Sequence, residues 1–194
     1  MSHPQSILLM KTSSNNNIVR FSYFPKPIKN TIPSARFTLA DAYRYITSPM
    51  ARQTTQELRL QPTVKDARTF KAANFDYVTF SGLFSKRNEK ALITHSGLLC
   101  LDFDHLENLD KVRWLLLNDE YFETQLLFTS PSGHGLKWVI EINLATASHL
   151  DYFNGVSNYL KQTYNLSADP SGKDICRACF LPHDPNCYIN PKQL

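Results

Sequence analysis

The stretch Leu98-Leu-Cys-Leu-Asp-Phe-Asp104 decides the fold, because it is an apolar strand pattern that ends in two acids. Side chains two residues apart on a strand face the same side, so we expect Asp102 and Asp104 to project together and Phe103 to point into the core. Two adjacent carboxylates repel unless a cation lies between them, and Mg²⁺ or Mn²⁺ meets that need. Acids are also common where a strand runs into a solvated loop, so both interpretations stay open at this point.

The elements that follow have the order β-α-β-β-α-β of a ferredoxin-like fold. Their periodicity predicts strands over 98–104, 124–129 and 136–142, helices over 107–118 and 148–164, and one or two short strands in the tail. The second helix is predicted to face the core through Leu150, Phe153, Val156 and Leu160.

The part before residue 98 predicts a second α/β layer. Its patterns favour strands over 17–24, 77–84 and 90–95, a helix capped by Thr38, a helix over 64–73, and a turn within 1–17, and they leave 52–61 open between helix and loop. We therefore predict one α+β domain over 1–194. An N-terminal α/β extension over 1–75 packs on a ferredoxin-like sheet over 76–194.

Composition sets outer limits on the function. With 42% hydrophobic and 12% aromatic residues in a chain of 194, a disordered protein is excluded. The 21 basic and 17 acidic residues leave a net charge of +4, which permits an anionic partner without requiring one. The apolar run at 7–10 is too short for a signal sequence or a membrane span, so we expect a cytoplasmic protein without a membrane partner.

A third acid, Asp169, is a candidate for the same ion. It follows the predicted helix over 148–164, and it would reach the acidic pair if the last strand lay beside the first. Its alternative role is to initiate a turn before Pro170, and Asp174 competes for the role of third ligand.

A turn rich in small residues follows the second strand. Its glycines would let the backbone approach a ligand closely, and its hydroxyls and N–H groups can donate to phosphate oxygens. A hairpin turn favours the same residues. His134, between two glycines, is expected to be exposed, as a general base, a phosphate contact or a solvated side chain. The candidate nucleotide-binding residues here are Ser130, Ser132, Gly133, His134, Gly135 and Lys137.

Two further patterns have competing interpretations. Cys176, Cys179, His183 and Cys187 have the spacing of a zinc knuckle, but a buried strand through this segment would point Cys176 and Cys179 to opposite faces. Basic residues with aromatic neighbours suit single-stranded nucleic acid, although most of them fit equally well as surface charge beside a core. Arg87 is the strongest candidate among them.

The ordered motifs resemble those of the archaeo-eukaryotic primase (primase-polymerase) superfamily, in particular the primase-like N-terminal module of bacterial mobile-element proteins labelled the VirE N-terminal domain family. The resemblance covers roughly residues 67–191. Its motifs are Ser81-Gly82-x-Phe84 with Arg87, Ser96-Gly97, Leu101-Asp-Phe-Asp-His105, Thr129-Ser-Pro-Ser-Gly-His-Gly-Leu-Lys137, Asp169, Arg177-x-Cys-Phe-Leu181, Asp184-Pro and Asn190-Pro.

The resemblance implies that the part over 76–194 is an RRM-like catalytic sheet. It also implies a nucleotidyltransferase that transfers an NTP or dNTP to a 3′-hydroxyl. Asp102, Asp104 and Asp169 would bind two Mg²⁺ or Mn²⁺ ions and form the catalytic centre. The turn would hold the incoming nucleotide, Arg177 would contact triphosphate or template, and Arg87 would contact nucleic acid. The implied partners are a nucleoside triphosphate, single-stranded DNA or a primer-template, and a helicase domain or partner.

One position departs from the superfamily pattern. Where the superfamily usually has histidine on the strand after the turn, this chain has Lys137. Lysine keeps a positive charge for a phosphate but is a poor acid or base near neutral pH. A catalytically silent module that binds nucleotide or single strands is therefore the first alternative, and a metal phosphoesterase is the second.

Overall fold

The computed structural model describes residues 18–194, so the turn and the apolar run predicted within 1–17 lie outside the described residues. The helices are α1 Leu39–Thr47, α2 Arg52–Arg59, α3 Val64–Asn74, α4 Leu109–Leu117 and α5 His149–Tyr164. The strands are β1 Phe21–Phe24, β2 Ala35–Phe37, β3 Tyr77–Thr79, β4 Gly82–Phe84, β5 Leu92–His95, β6 Leu98–Phe103, β7 Thr124–Thr129, β8 Leu136–Glu141, β9 Cys179–Phe180 and β10 Tyr188–Ile189. No helix in this part of the chain is long and apolar enough to cross a bilayer.

Side-chain caps define where the helices begin. Thr38 and Ser148 each accept a hydrogen bond from the backbone of an aspartate three residues later, and that aspartate bonds back to the cap, which completes a capping box for α1 and for α5. Asn108 caps α4 in the simpler way, by accepting from the N–H of Lys111 at 2.8 Å. Local sequence therefore places these starts within two residues of the prediction.

The central sheet has the strand order β10-β7-β8-β6, with every pair antiparallel. The second sheet, β2-β1-β3-β9, takes strands from both ends of the chain, and β4 and β5 form a separate hairpin. The single strand predicted over 77–84 is thus two strands that belong to different sheets.

The two faces of the central sheet build two cores. Leu98 and Val139 face α1 and the second sheet, whereas Leu101 and Trp138 face the core built with α4 and α5. Asp102 lies on the same face of β6 as Leu98, so its carboxylate points into the gap between the two layers.

The inward face of α5 is confirmed for three of its four predicted residues. Phe153, Val156 and Leu160 are buried, but Leu150 is 48% exposed, and its predicted inward orientation is wrong. Leu150 lies in the first turn of α5, where the neighbouring His149, 7% exposed, takes the buried position instead.

The mixed α+β class is confirmed, and the three-strand order β7-β8-β6 is the one that a ferredoxin-like fold requires. The last strand differs, because β10 pairs with β7 at the far edge instead of lying beside β6. Beside β6 the chain runs instead through a 3₁₀ turn, Pro170–Lys173. The third acid, Asp169, therefore comes from this turn and not from a paired strand.

Candidate functional site

Three carboxylates converge at the end of β6. Asp102, Asp104 and Asp169 can each offer one oxygen such that all three atoms lie within 4.8 Å of one another. Asp102 and Asp104 share a face because they are two apart on an extended segment. Asp169 arrives through a backbone hydrogen bond, in which its N–H donates to the Asp102 carbonyl at 2.8 Å. The predicted meeting of the three acids is confirmed, although no strand pairing produces it.

The turn role considered for Asp169 is confirmed, and its carboxylate also lies in the acidic cluster. Its Oδ1 accepts from the N–H of Ser171 at 2.8 Å and so caps the 3₁₀ turn, while Arg177 lies 3.7 Å from its Oδ2. Burial raises the pKa of Asp169, but the hydrogen bonds from Ser171 and the nearby cations outweigh this, so the net pKa is lowered. The carboxylate is therefore ionised at neutral pH. Asp174 is not part of the cluster and accepts instead from the Cys176 N–H at 2.9 Å.

Lys137 lies among these acids. It is the cross-strand partner of Asp102 in the β6–β8 ladder, and its Nζ contacts Asp102 Oδ2. Burial lowers the pKa of Lys137, while the adjacent carboxylate favours the charged form. The other oxygen, Asp102 Oδ1, is buried without a hydrogen-bond partner. A buried carboxylate oxygen that nothing satisfies, next to two more carboxylates, is a donor set that fits Mg²⁺ or Mn²⁺.

The Ser-Gly turn between β7 and β8 packs directly on β6. Ser130 and Gly135 close it with a 2.8 Å backbone bond, and Gly133 has φ +85°, which favours glycine. A side chain on Gly135 would collide with the carbonyl oxygen of Phe103. The conformation of the turn and its packing on β6 thus account for both glycines. His134, between them, is exposed as predicted. The hydroxyls of Ser130 and Ser132 lie 3.1 Å apart, and both residues line an open cleft.

An open cleft joins the acids and the turn. Its enclosed part has a volume of about 200 Å³, which is smaller than the roughly 300–1,000 Å³ of small-molecule sites, and it opens to solvent at its mouth. Four cations line it together with acids and an apolar patch. The cations are Lys71, Arg87, Lys137 and Arg177, and they line the cleft with Asp102, Asp104, Ile28 and Phe180, among others.

Lys71 is a site residue that sequence reasoning missed. Its place on α3 predicts ordinary surface charge, yet it lines the cleft with its Nζ 5.6 Å from the centre of the Phe180 ring. Burial, with Arg177 and Arg68 nearby, lowers the pKa of Lys71, although Asp104 opposes this. No local signal separates Lys71 from the lysines beside it, because only the packing of α3 brings it here.

Arg87 also lines the cleft, as its proposed ligand-binding role requires. Its guanidinium stacks over Tyr77 at 5.3 Å, and one nitrogen donates to the Ile28 carbonyl at 3.4 Å. The Nε is buried without a partner. Among the aromatics near it in the sequence, Tyr77, Phe80 and Phe84 are core residues and cannot stack on a base.

A pair of histidines supports the turn that carries Asp169. The Gly97 N–H donates to His95 Nδ1 at 3.0 Å, which assigns the His95 proton to Nε2, 3.1 Å from His149 Nδ1. His149 Nε2 in turn lies 3.3 Å from the Gly172 carbonyl. Burial lowers the pKa of both rings, that of His95 to about 4. Both are therefore neutral at pH 7.

The zinc alternative receives no support. Within residues 18–194, the aspartate cluster is the one group of three or more ligand-type side chains that are close enough to share an ion. The His183 Nδ1 is 2.8 Å from the Ser48 carbonyl. The Cys179 thiol contacts Cys100 on β6, and this contact, followed by burial, raises the pKa of Cys100. The four zinc candidates therefore do not form a shared site among residues 18–194.

These features define a mixed α+β domain in which acids and cations meet in one cleft. The chain belongs to the BT4734-like N-terminal domain family, whose family model matches residues 69–189 and so contains all three acids. That family is related to the primase-helicase and VirE-like modules of mobile elements. No curated protein and no solved structure matches the chain.

Proposed function

We propose that this domain is a primase-polymerase-like nucleotidyltransferase with an RRM-like catalytic sheet, which transfers an NTP or dNTP to a 3′-hydroxyl on a nucleic-acid template. The observation that carries the proposal is the convergence of Asp102, Asp104 and Asp169 within 4.8 Å beside a cationic cleft. Divalent metal bound there would supply activation of the hydroxyl and charge neutralisation on the phosphates. The family's relation to primase-helicase modules supports the same class.

The charges in the cleft suit a triphosphate. Lys71, Arg87 and Arg177 line it together with the acids, and the Nε of Arg87 has no partner of its own. A polyphosphate would satisfy these cations. Preorganised charges of this kind stabilise the transition state of phosphoryl transfer without further rearrangement. Ile28 and Phe180 supply an apolar surface against which a base or sugar can pack.

A second function is favoured by one specific observation, the contact between Lys137 and Asp102. This internal ion pair occupies part of the acidic cluster. If this ion pair persists when a nucleotide binds, the domain would bind nucleotide or single strands without turnover and would act together with a helicase.

Primer extension with Mn²⁺ and labelled nucleotides tests the proposal through Asp104. This carboxylate is exposed, so Asp104→Asn removes a metal ligand while leaving the fold intact. We expect product formation to fall by at least about 100-fold, or about 2.7 kcal/mol in transition-state stabilisation. The matched control is Asp110→Asn, which changes another exposed acid, on α4 and outside the cleft.

The outcomes separate the candidate functions. Unchanged extension by the Asp104→Asn protein would defeat the polymerase proposal. Nucleotide binding by the wild type, measured by fluorescence titration, without any product would select the binding module. Release of inorganic phosphate without chain growth would indicate a phosphoesterase.

A further inference from the structure

Lys137 has an unusual position for a nucleotide-binding lysine, because its charge is already engaged. The side chains of Lys137 and Asp102 are only 14% and 11% exposed, and the ammonium contacts Asp102 Oδ2. Water cannot easily replace either partner at this depth. The ion pair therefore belongs to the resting state of the cluster.

The remaining ligands are nevertheless arranged for a cation. Asp102 is only 8% exposed as a whole residue, and its Oδ1 has no partner. Asp102, Asp104 and Asp169 can each place one carboxylate oxygen within 4.8 Å of the others. A buried polar atom left unsatisfied costs about 1–3 kcal/mol, and more when it is charged, and a bound ion would remove that cost.

The charge count limits how many ions enter. Three carboxylates, with Lys137 and Arg177 beside them, leave a local net charge of −1. One divalent ion brings this to +1. A second would bring it to +3 in a partly buried cleft that also contains Lys71, which like-charge repulsion opposes. Without a nucleotide, the cluster has the charge for a single divalent ion.

We propose that Lys137 is a built-in counter-cation that takes the place of one metal ion, so that the nucleotide-free site binds one divalent cation through Asp102 Oδ1, Asp104 and Asp169. The inference rests on the proposed function, and it assigns Lys137 a role other than contacting phosphate. Any further ion enters only with the phosphates of the nucleotide, which bring their own negative charge.

Counting bound Mn²⁺ by electron paramagnetic resonance, without nucleotide, tests this inference. We expect one ion per wild-type chain. In Lys137→Met, which keeps most of the length of the side chain but not its charge, we expect two ions, or one bound at least about tenfold more tightly, because a nearby positive charge has been removed. The control is Lys173→Met, an exposed lysine in the 3₁₀ turn, which should bind as the wild type does.

Each outcome decides a different claim. Two ions in the wild type would overturn the counter-cation inference while leaving the metal-dependent function in place. One ion of unchanged affinity in Lys137→Met would also overturn it. No Mn²⁺ bound by either protein would defeat both the inference and the proposed polymerase. If circular dichroism shows that Lys137→Met is unfolded, Lys137→Gln provides the same test with a polar side chain.

Discussion

The Lys137–Asp102 pair makes a quantitative prediction about stability. Replacing Lys137 with methionine leaves a buried carboxylate beside Asp104 and Asp169, and replacing Asp102 with leucine leaves a buried ammonium. Breaking a buried pair from one side costs about 3–5 kcal/mol. The other carboxylates partly compensate the ammonium, so we expect about 3 kcal/mol for Asp102→Leu and about 4 kcal/mol for Lys137→Met, both relative to the wild type.

The double variant, Asp102→Leu with Lys137→Met, should be far more stable than the sum of the two single changes predicts. With both charges removed, the two new apolar side chains would pack as cross-strand neighbours on β6 and β8. Such replacements of buried ion pairs by apolar residues are often neutral.

Urea denaturation in EDTA gives the free energies of unfolding. Fluorescence of Trp138 follows the unfolding, because Trp138 is fully buried next to Lys137 in β8. The control is the surface pair Lys192–Glu123, whose side chains are 72% and 57% exposed. Lys192→Met should leave the free energy of unfolding close to that of the wild type, because solvent screens an exposed ion pair. Single changes at the buried pair that cost no more than this control, or a double variant as unstable as the sum, would refute the reasoning.

Two further predictions concern the supports of the site. Gly135→Ala places a methyl group against a β6 carbonyl that cannot move aside, so we expect the free energy of unfolding in urea to fall by about 3 kcal/mol. The control is Gly155→Ala, which has open space around it on α5 and should raise the free energy of unfolding by about 1 kcal/mol. Equal effects of the two changes would contradict the close packing of the turn. His95 and His149 have lowered pKa values, so unfolding takes up protons and stability falls as the pH drops from about 6.5 through about 4. Because the His95 ring is only half-buried, solvent screening limits its share of the loss to about 1–2 kcal/mol. His95→Gln should flatten this dependence relative to the wild type, and a thermal-melt series from about pH 7.5 to about 4.5 measures it.

Local sequence was enough to predict how β6 presents its acids. Alternation along the strand determines that Asp102 and Asp104 share a face and that Phe103 is buried, since this depends only on the two-residue repeat of an extended chain. Capping residues determine helix starts in the same way, because the donors they satisfy lie within the next turn. The mixed α+β class follows from the order of such elements.

Tertiary structure alone decided which distant groups meet these acids. Asp169 joins them through one backbone bond from an irregular segment, although the expected strand pairing is absent there. Lys71 enters the cleft, and Lys137 contacts Asp102, through the packing of α3 and the register of β8. Contacts of this kind link residues far apart in the chain, and they depend on the packing of whole layers and not on any repeat that a short window of sequence contains.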